Sequence, residues 1–158
     1  MNDSEVFRTL LTTQTVFPLT ADQVDRAVRF RERACIENET QNLTRLLSPE
    51  DFFEGHVLDV LHLKKTGWIT GRALDLGSGM GVPGLLSAIL FDENWVLSDS
   101  EKSKADFMSR IIDEFSLKTA VATSQRAEEY LFKQGLDVKI IVSRAVGSVT
   151  KLYGWLSP

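Results

Sequence analysis

Residues 74–84 read Leu74-Asp75-Leu76-Gly77-Ser78-Gly79-Met80-Gly81-Val82-Pro83-Gly84, and this stretch decides the fold. Four glycines fall within eight residues, directly after a short apolar strand, Arg72–Leu76. Glycine loses more conformational freedom on folding than any other residue, so a cluster marks a backbone that turns sharply or lets a ligand come close. An apolar helix over residues 85–90 leaves the turn. Strand, glycine turn and helix N-terminus together form a nucleotide-type binding corner.

The pattern on either side of this corner defines the architecture. Residues 1–66 read as a helical region. Thr20 caps one helix, with Gln23 completing a capping box and Val24, Ala27, Val28, Phe30 and Arg31 following. Ser48-Pro49-Glu50-Asp51 opens another, with a serine cap, a proline at the first helical position and acids in the first turn. Its apolar stripe runs through Phe52, Phe53, Val57, Leu58 and Leu61, and Lys64, Lys65 and Gly67 read as its stop. From residue 67 to 158 strands alternate with helices. Strands are predicted at Arg72–Leu76, Trp95–Ser98, 120–122 and 139–143, and helices at 102–115, 127–133 and from about 149 onward. Such alternation implies an α/β doubly wound parallel sheet, with the helical region as an N-terminal extension packed on it. Common doubly wound orders use five or six strands, so four strands leave the last one as an open edge, through which two copies can pair.

Composition narrows the setting. At 158 residues with 43% hydrophobic and 25% charged residues, the chain suits one soluble globular unit. The apolar runs are too short for a membrane span, the acidic N-terminus lacks a secretory segment, and Cys35 stands alone. A cytoplasmic protein with neither a disulfide framework nor a cysteine metal site is the simplest expectation. The net charge of -4 argues against coating nucleic acid by bulk charge. A local row, Arg26, Arg29, Arg31 and Arg33, with Arg45 further on, reads either as a basic patch or as a solvated helix face.

Two ligands compete for the glycine turn. Gly79-Met80-Gly81-Val82-Pro83-Gly84 fits the G-x-G-x-x-G dinucleotide fingerprint, with Asp99 about 20 residues on. Asp75-Leu76-Gly77-Ser78-Gly79-Met80-Gly81 fits an acidic residue followed by G-x-G-x-G, the pattern of an S-adenosylmethionine site. A pyrophosphate on the helix N-terminus makes a nearby carboxylate unfavourable, whereas the sulfonium and ammonium of S-adenosylmethionine are favoured by Asp75. Asp99, ending the second strand, can accept the hydroxyls of a ribose in either ligand. The nicotinamide alternative therefore stays open, with Asp75 as the discriminating residue.

A longer ordered set supports the second ligand. Asn42-Leu43-Thr44, His56-Val57-Leu58-Asp59-Val60-Leu61, the turn with Val82-Pro83-Gly84, Asp99-Ser100 with Lys102, Arg126-Ala127-Glu128-Glu129 and Ser143-Arg144-Ala145 closely resemble the bacterial ribosomal RNA small subunit methyltransferase G family. The resemblance covers essentially the whole chain. It implies a Rossmann-like class I methyltransferase that moves a methyl group from S-adenosylmethionine to N7 of a guanine in 16S ribosomal RNA, free or in the small ribosomal subunit. It also implies a monomer whose further strands lie beyond Pro158, so the chain is expected to be C-terminally truncated. A non-catalytic cofactor-binding or RNA-interaction module is the alternative for a chain of this length. The cofactor residues carried over or read from the turn are Asp75, Gly77, Ser78, Gly79, Gly81, Val82, Asp99, Ala127 and Glu128, with Arg144 beside the reacting end. No general base and no metal are expected. His56 and His62 would not share a helix face, and His56 is expected to pack or hydrogen-bond between the helical region and the sheet. Trp68, Trp95 and Trp155 are expected to be packing residues.

Overall fold

The computed structural model describes residues 1–134 and 137–157. Helices α1 (Asp3–Thr13) and α2 (Ala21–Asn38) come first, each opened by a capping box, Asn2 with Glu5 and Thr20 with Gln23. Helix α3 (Pro49–Phe52), capped by Ser48, continues through a π-helical turn (Phe53–Val57) into α4 (Leu58–Thr66). Gly67 ends α4 in the left-handed conformation at φ +68°, as the sequence pattern requires. The π-turn has no counterpart in the sequence reading, which runs one regular helix through it.

The rest is β1 (Arg72–Leu76), α5 (Gly84–Phe91), β2 (Trp95–Ser98), α6 (Lys102–Glu114), β3 (Ala120–Thr123), α7 (Ala127–Gln134), β4 (Val138–Ser143) and α8 (Val149–Leu156). All pairings are parallel and the strand order is β3-β2-β1-β4. This is a Rossmann-like α/β fold with helices on both faces, as the strand and helix alternation predicts. The order reverses at β1: the chain winds outward through β2 and β3, then returns to place β4 on the other side. In open parallel sheets ligands bind at such a switch point, beyond the carboxyl ends of the strands.

The two faces separate by the period of two along each strand. Ala73, Trp95 and Leu97 join the larger apolar cluster beneath α5 and α6, while Leu74, Leu76 and Val96 face α7 and α8 together with Ala127 and Tyr130. The central strands β1 and β2 are buried almost throughout, whereas β3 and β4 are half-buried, with Val121, Lys139 and Ile141 exposed. The helical extension adds Phe7, Leu11, Val24, Phe30, Phe52 and Val57 to the larger cluster, so it shares one apolar core with the sheet. Gln23 strengthens the junction: besides its part in the α2 cap, its Nε2 donates to the carbonyl of Leu90 at the end of α5, 2.7 Å away. No helix among the described residues is long and apolar enough to cross a membrane.

Candidate cofactor and acceptor site

The glycine turn leaves β1 with Gly77, Gly79 and Gly81 at φ of +71°, +59° and +99°. Gly77 shows why glycine is needed: beyond its left-handed backbone, an added Cβ would collide with Val146 in the loop after β4. The turn is pinned to β2, because the N–H groups of Gly77 and Ser78 both donate to the Ser98 carbonyl, at 2.8 and 2.9 Å. Gly84 then allows α5 to start against the sheet, where an added Cβ would sit 2.8 Å from Asp75 Oδ2.

Two cavities open on this turn. One, of about 160 Å³, lies over the ends of β1 and β2 and the loop after β3, lined by Leu76, Gly77, Ser98, Asp99, Ser100, Arg126, Ala127, Glu128, Val146 and Trp155. The other, of about 150 Å³, lies at the switch point between β1 and β4 and is lined by Leu43, His56, Gly77, Ser78, Gly79, Met80, Val82, Arg144 and Ala145. Of the predicted site residues, Gly77, Asp99, Ala127 and Glu128 meet around the first cavity. Gly77, Ser78, Gly79, Val82 and Arg144 meet around the second, and Asp75 and Gly81 line neither.

Asp99 is nearly buried, and each of its oxygens already serves the backbone. Oδ2 accepts the N–H of Gly79 at 2.8 Å, and Oδ1 accepts that of Glu101 at 3.0 Å. Each carboxylate oxygen keeps acceptor capacity for a further donor such as a ribose hydroxyl. Arg126, at the mouth of the same cavity, pairs with Glu128 at 2.8 Å. Trp155 differs from the packing role expected of it: its ring forms part of the cavity wall, with Arg126 and Lys151 5.9 and 5.0 Å from its centroid. Trp68 also departs from expectation, being 68% exposed just beyond the end of α4, while Trp95 is fully buried in the core.

Asp75 has a different surrounding from that of a strand-end carboxylate in water. It shares its face of β1 with Ala73 and is 1% exposed beneath α5. Its Oδ2 accepts the N–H of Gly84, the first residue of α5, at 2.8 Å. Burial pushes its pKa from 3.8 up to about 7, partly opposed by that hydrogen bond. The helix N-terminus that would hold a pyrophosphate is thus capped from within by a carboxyl of the protein itself.

Arg144 follows β4 and turns toward the helical extension. Nη1 donates to the Gly55 carbonyl at 2.6 Å and to Asp59 Oδ2 at 3.0 Å, and Nη2 donates to His56 Nδ1 at 2.9 Å. Asp59 stands in the sequence only as part of the His56–Leu61 motif, and nothing local there marks it as the partner of Arg144. His56 lies edge-on to Phe52, with ring centroids 4.9 Å apart. Burial, and then the Arg144 charge, hold its pKa down at about 4. His62, on α4, lies outside both cavities. The arginine row of α2 is largely neutralised from within: Arg26 pairs with Asp22, Arg29 and Arg33 share Glu114, and Arg31 is buried, reaching Asp3 and the Leu47 carbonyl.

Comparison with known proteins agrees with this architecture. The family model described as rRNA small subunit methyltransferase G matches residues 23–158. Among similar proteins, all named ribosomal RNA small subunit methyltransferase G, one from Mesoplasma florum is 38% identical over 112 residues, covering 70% of this chain and 47% of that protein. One from Psychromonas ingrahamii is 33% identical over 144 residues, covering 90% of this chain and 68% of the relative. One from Colwellia psychrerythraea is 28% identical over 156 residues, covering 98% and 73%. The chain therefore spans about half the length of the first and roughly two-thirds to three-quarters of the other two. With the match running from the second helix of the extension through the glycine turn and all four strands to residue 158, this chain belongs to the rRNA small subunit methyltransferase G family.

Proposed function

We propose that the chain binds S-adenosylmethionine and directs its methyl group to N7 of a guanine in 16S ribosomal RNA, free or within the small ribosomal subunit. The observation that carries the cofactor reading is Asp75 seated on the first N–H of α5. That carboxyl takes the place where a dinucleotide pyrophosphate would rest, while the cleft beside it keeps Asp99 for a ribose. Ala127 and Glu128 border the same cleft and would flank the adenine. The left-handed turn at Gly77 keeps the cradle open, since a side chain there would fill the space against Val146. These residues fit the group, and the nicotinamide alternative is disfavoured.

The bound cofactor supplies a methyl group already activated on a sulfonium. Guanine N7 is a free lone pair on the base edge and needs no deprotonation, so the protein's task is alignment. His56 suits this: both ring nitrogens are engaged, one with Arg144 and one with Thr44, which leaves no free nitrogen to act as a base. Arg144 and the loop after β4 form the wall of the cavity where the acceptor would meet the methyl group.

The test is calorimetry with S-adenosylhomocysteine and NADH, followed by methyl transfer from labelled S-adenosylmethionine to small-subunit RNA. The expected result is binding of S-adenosylhomocysteine alone and label at one guanine that borohydride and aniline then cleave, as N7-methylguanine does. NADH binding without S-adenosylhomocysteine binding, or no transfer, would overturn the proposal.

A further inference from the structure

We infer that Thr44, His56 and Asp59 form a positioning relay that fixes Arg144 along the acceptor-side cavity, so that the helical extension acts on methyl transfer through this one arginine. The inference rests on the proposed methyl-transfer reading and adds residues to it.

The hydrogen bonds have only one consistent direction. A guanidinium can only donate, so His56 Nδ1 must accept from Arg144 Nη2. The ring proton therefore sits on Nε2 and donates to Thr44 Oγ1, 2.9 Å away. Thr44 Oγ1 also accepts the N–H of Leu46 at 3.0 Å, which fixes the hydroxyl in the loop before α3. The tautomer is thus set from both sides, and the ring is held against Phe52.

The arrangement also sets where Arg144 points. Its contacts lie 85 to 89 residues away in sequence, on the π-turn and the first turn of α4. The π-turn is a local irregularity of the kind that recurs at functional sites, and it presents Gly55, His56 and Asp59 to a single guanidinium. Gly55 lets this turn approach the Thr44 loop, because a Cβ there would collide with Leu46. On the other side, Ala145 follows Arg144 at φ +57°, a left-handed conformation unusual for a residue with a side chain. Among the described residues, these bonds use three of the five N–H donors of the guanidinium. Two donors remain for an acceptor-side oxygen. A simple tether between extension and sheet would need neither the fixed tautomer nor a place on the cavity wall.

Three variants test the relay. His56→Phe keeps the ring against Phe52 and removes both hydrogen bonds. His56→Asn places an amide oxygen near the position of Nδ1 and restores only the bond to Arg144. Thr44→Val removes the hydroxyl alone, and it decides the matter if His56→Phe does not fold. In His56→Phe, kcat for methyl transfer to small-subunit RNA is expected to fall about 10- to 100-fold while the Kd for S-adenosylhomocysteine stays within about twofold. His56→Asn should recover most of that loss, and Thr44→Val should show a smaller loss of kcat. Nitrogen-15 spectra should show the His56 ring protonated on Nε2, with loss of the single tautomer in Arg144→Met. Unchanged kcat in a folded His56→Phe or Thr44→Val variant, equal loss in the Phe and Asn variants, or a proton on Nδ1 would overturn the inference. If the unaltered chain binds no cofactor and transfers no methyl group, the proposed function fails instead, and the ring tautomer still decides whether the relay exists.

Discussion

Replacing Asp75 by asparagine separates the buried cap from every other ionisable group in the chain. In the folded state the Asp75 carboxyl loses its proton near pH 7, whereas its ordinary pKa is 3.8, the value it returns to on unfolding. Between those values the folded chain holds a proton that the unfolded chain has released. Stability from this group is therefore full below about pH 4 and is lost as pH rises through about 7. A difference of about three pKa units at about 1.4 kcal/mol each sets an upper bound near 4 kcal/mol. Asparagine keeps an oxygen to accept the Gly84 N–H and occupies nearly the same volume, but it cannot ionise. The variant and the parent should have similar stability near pH 4. At pH 8 the variant should be more stable by up to about 4 kcal/mol, with the gap growing by at most about 1.4 kcal/mol per pH unit. Urea unfolding of both proteins across this range, at one ionic strength, measures the gap, and subtraction cancels all groups they share. A gap that stays flat or shrinks as pH rises would refute the placement of an acid in the apolar core beneath α5.

Three further outcomes follow from the geometry. His56 is held near pKa 4 against an ordinary 6.5, so the unfolded chain takes up its proton first as pH falls. Its contribution, about 3 kcal/mol, is present above about pH 6.5 and lost as pH falls through about 4, and His56→Phe should abolish this slope in the same unfolding series. Gly77→Ala forces a side chain into a left-handed position and against Val146; it should cost about 1–3 kcal/mol in thermal or urea unfolding and abolish S-adenosylhomocysteine binding in calorimetry. Trp155 borders the proposed adenosine cleft, so S-adenosylhomocysteine should change the protein's tryptophan fluorescence, and Trp155→Phe should remove that change while Trp68→Phe leaves it in place.

What could be read from the sequence and what could not divides by the range of the forces involved. The caps at Thr20 and Ser48 and the stop at Gly67 are written within a few residues, and the structure places each where local hydrogen bonding requires. The bounds of β1 and β2 are legible because buried parallel strands are short apolar runs between turn signals. The neighbourhood of Gly77, Asp99 and Ala127 follows from the rule that such strands present their carboxyl ends together. The direction of Asp75 was also available: Leu74 and Leu76 take one face of β1, so Asp75 must share the other with Ala73. The pairing of Arg144 with Asp59 had no such local sign, since it joins residues 85 positions apart across a π-turn that depends on tertiary packing. Trp155 was misread for a related reason, because helical spacing alone does not say whether an aromatic ring meets core or cavity.

The joint between α2 and α5 has a consequence for how the molecule comes apart. One side chain, Gln23, closes the start of one helix and serves a carbonyl at the end of another. Two borders 67 residues apart are therefore a single fastening, and the first cannot fray without exposing the second. Amide exchange at the head of α2 and the tail of α5 should accordingly proceed at matched rates, as one cooperative unit. The extension is in this sense less an appendage than a support of the sheet, and cutting it away would uncover the end of α5, the helix that leaves the glycine turn.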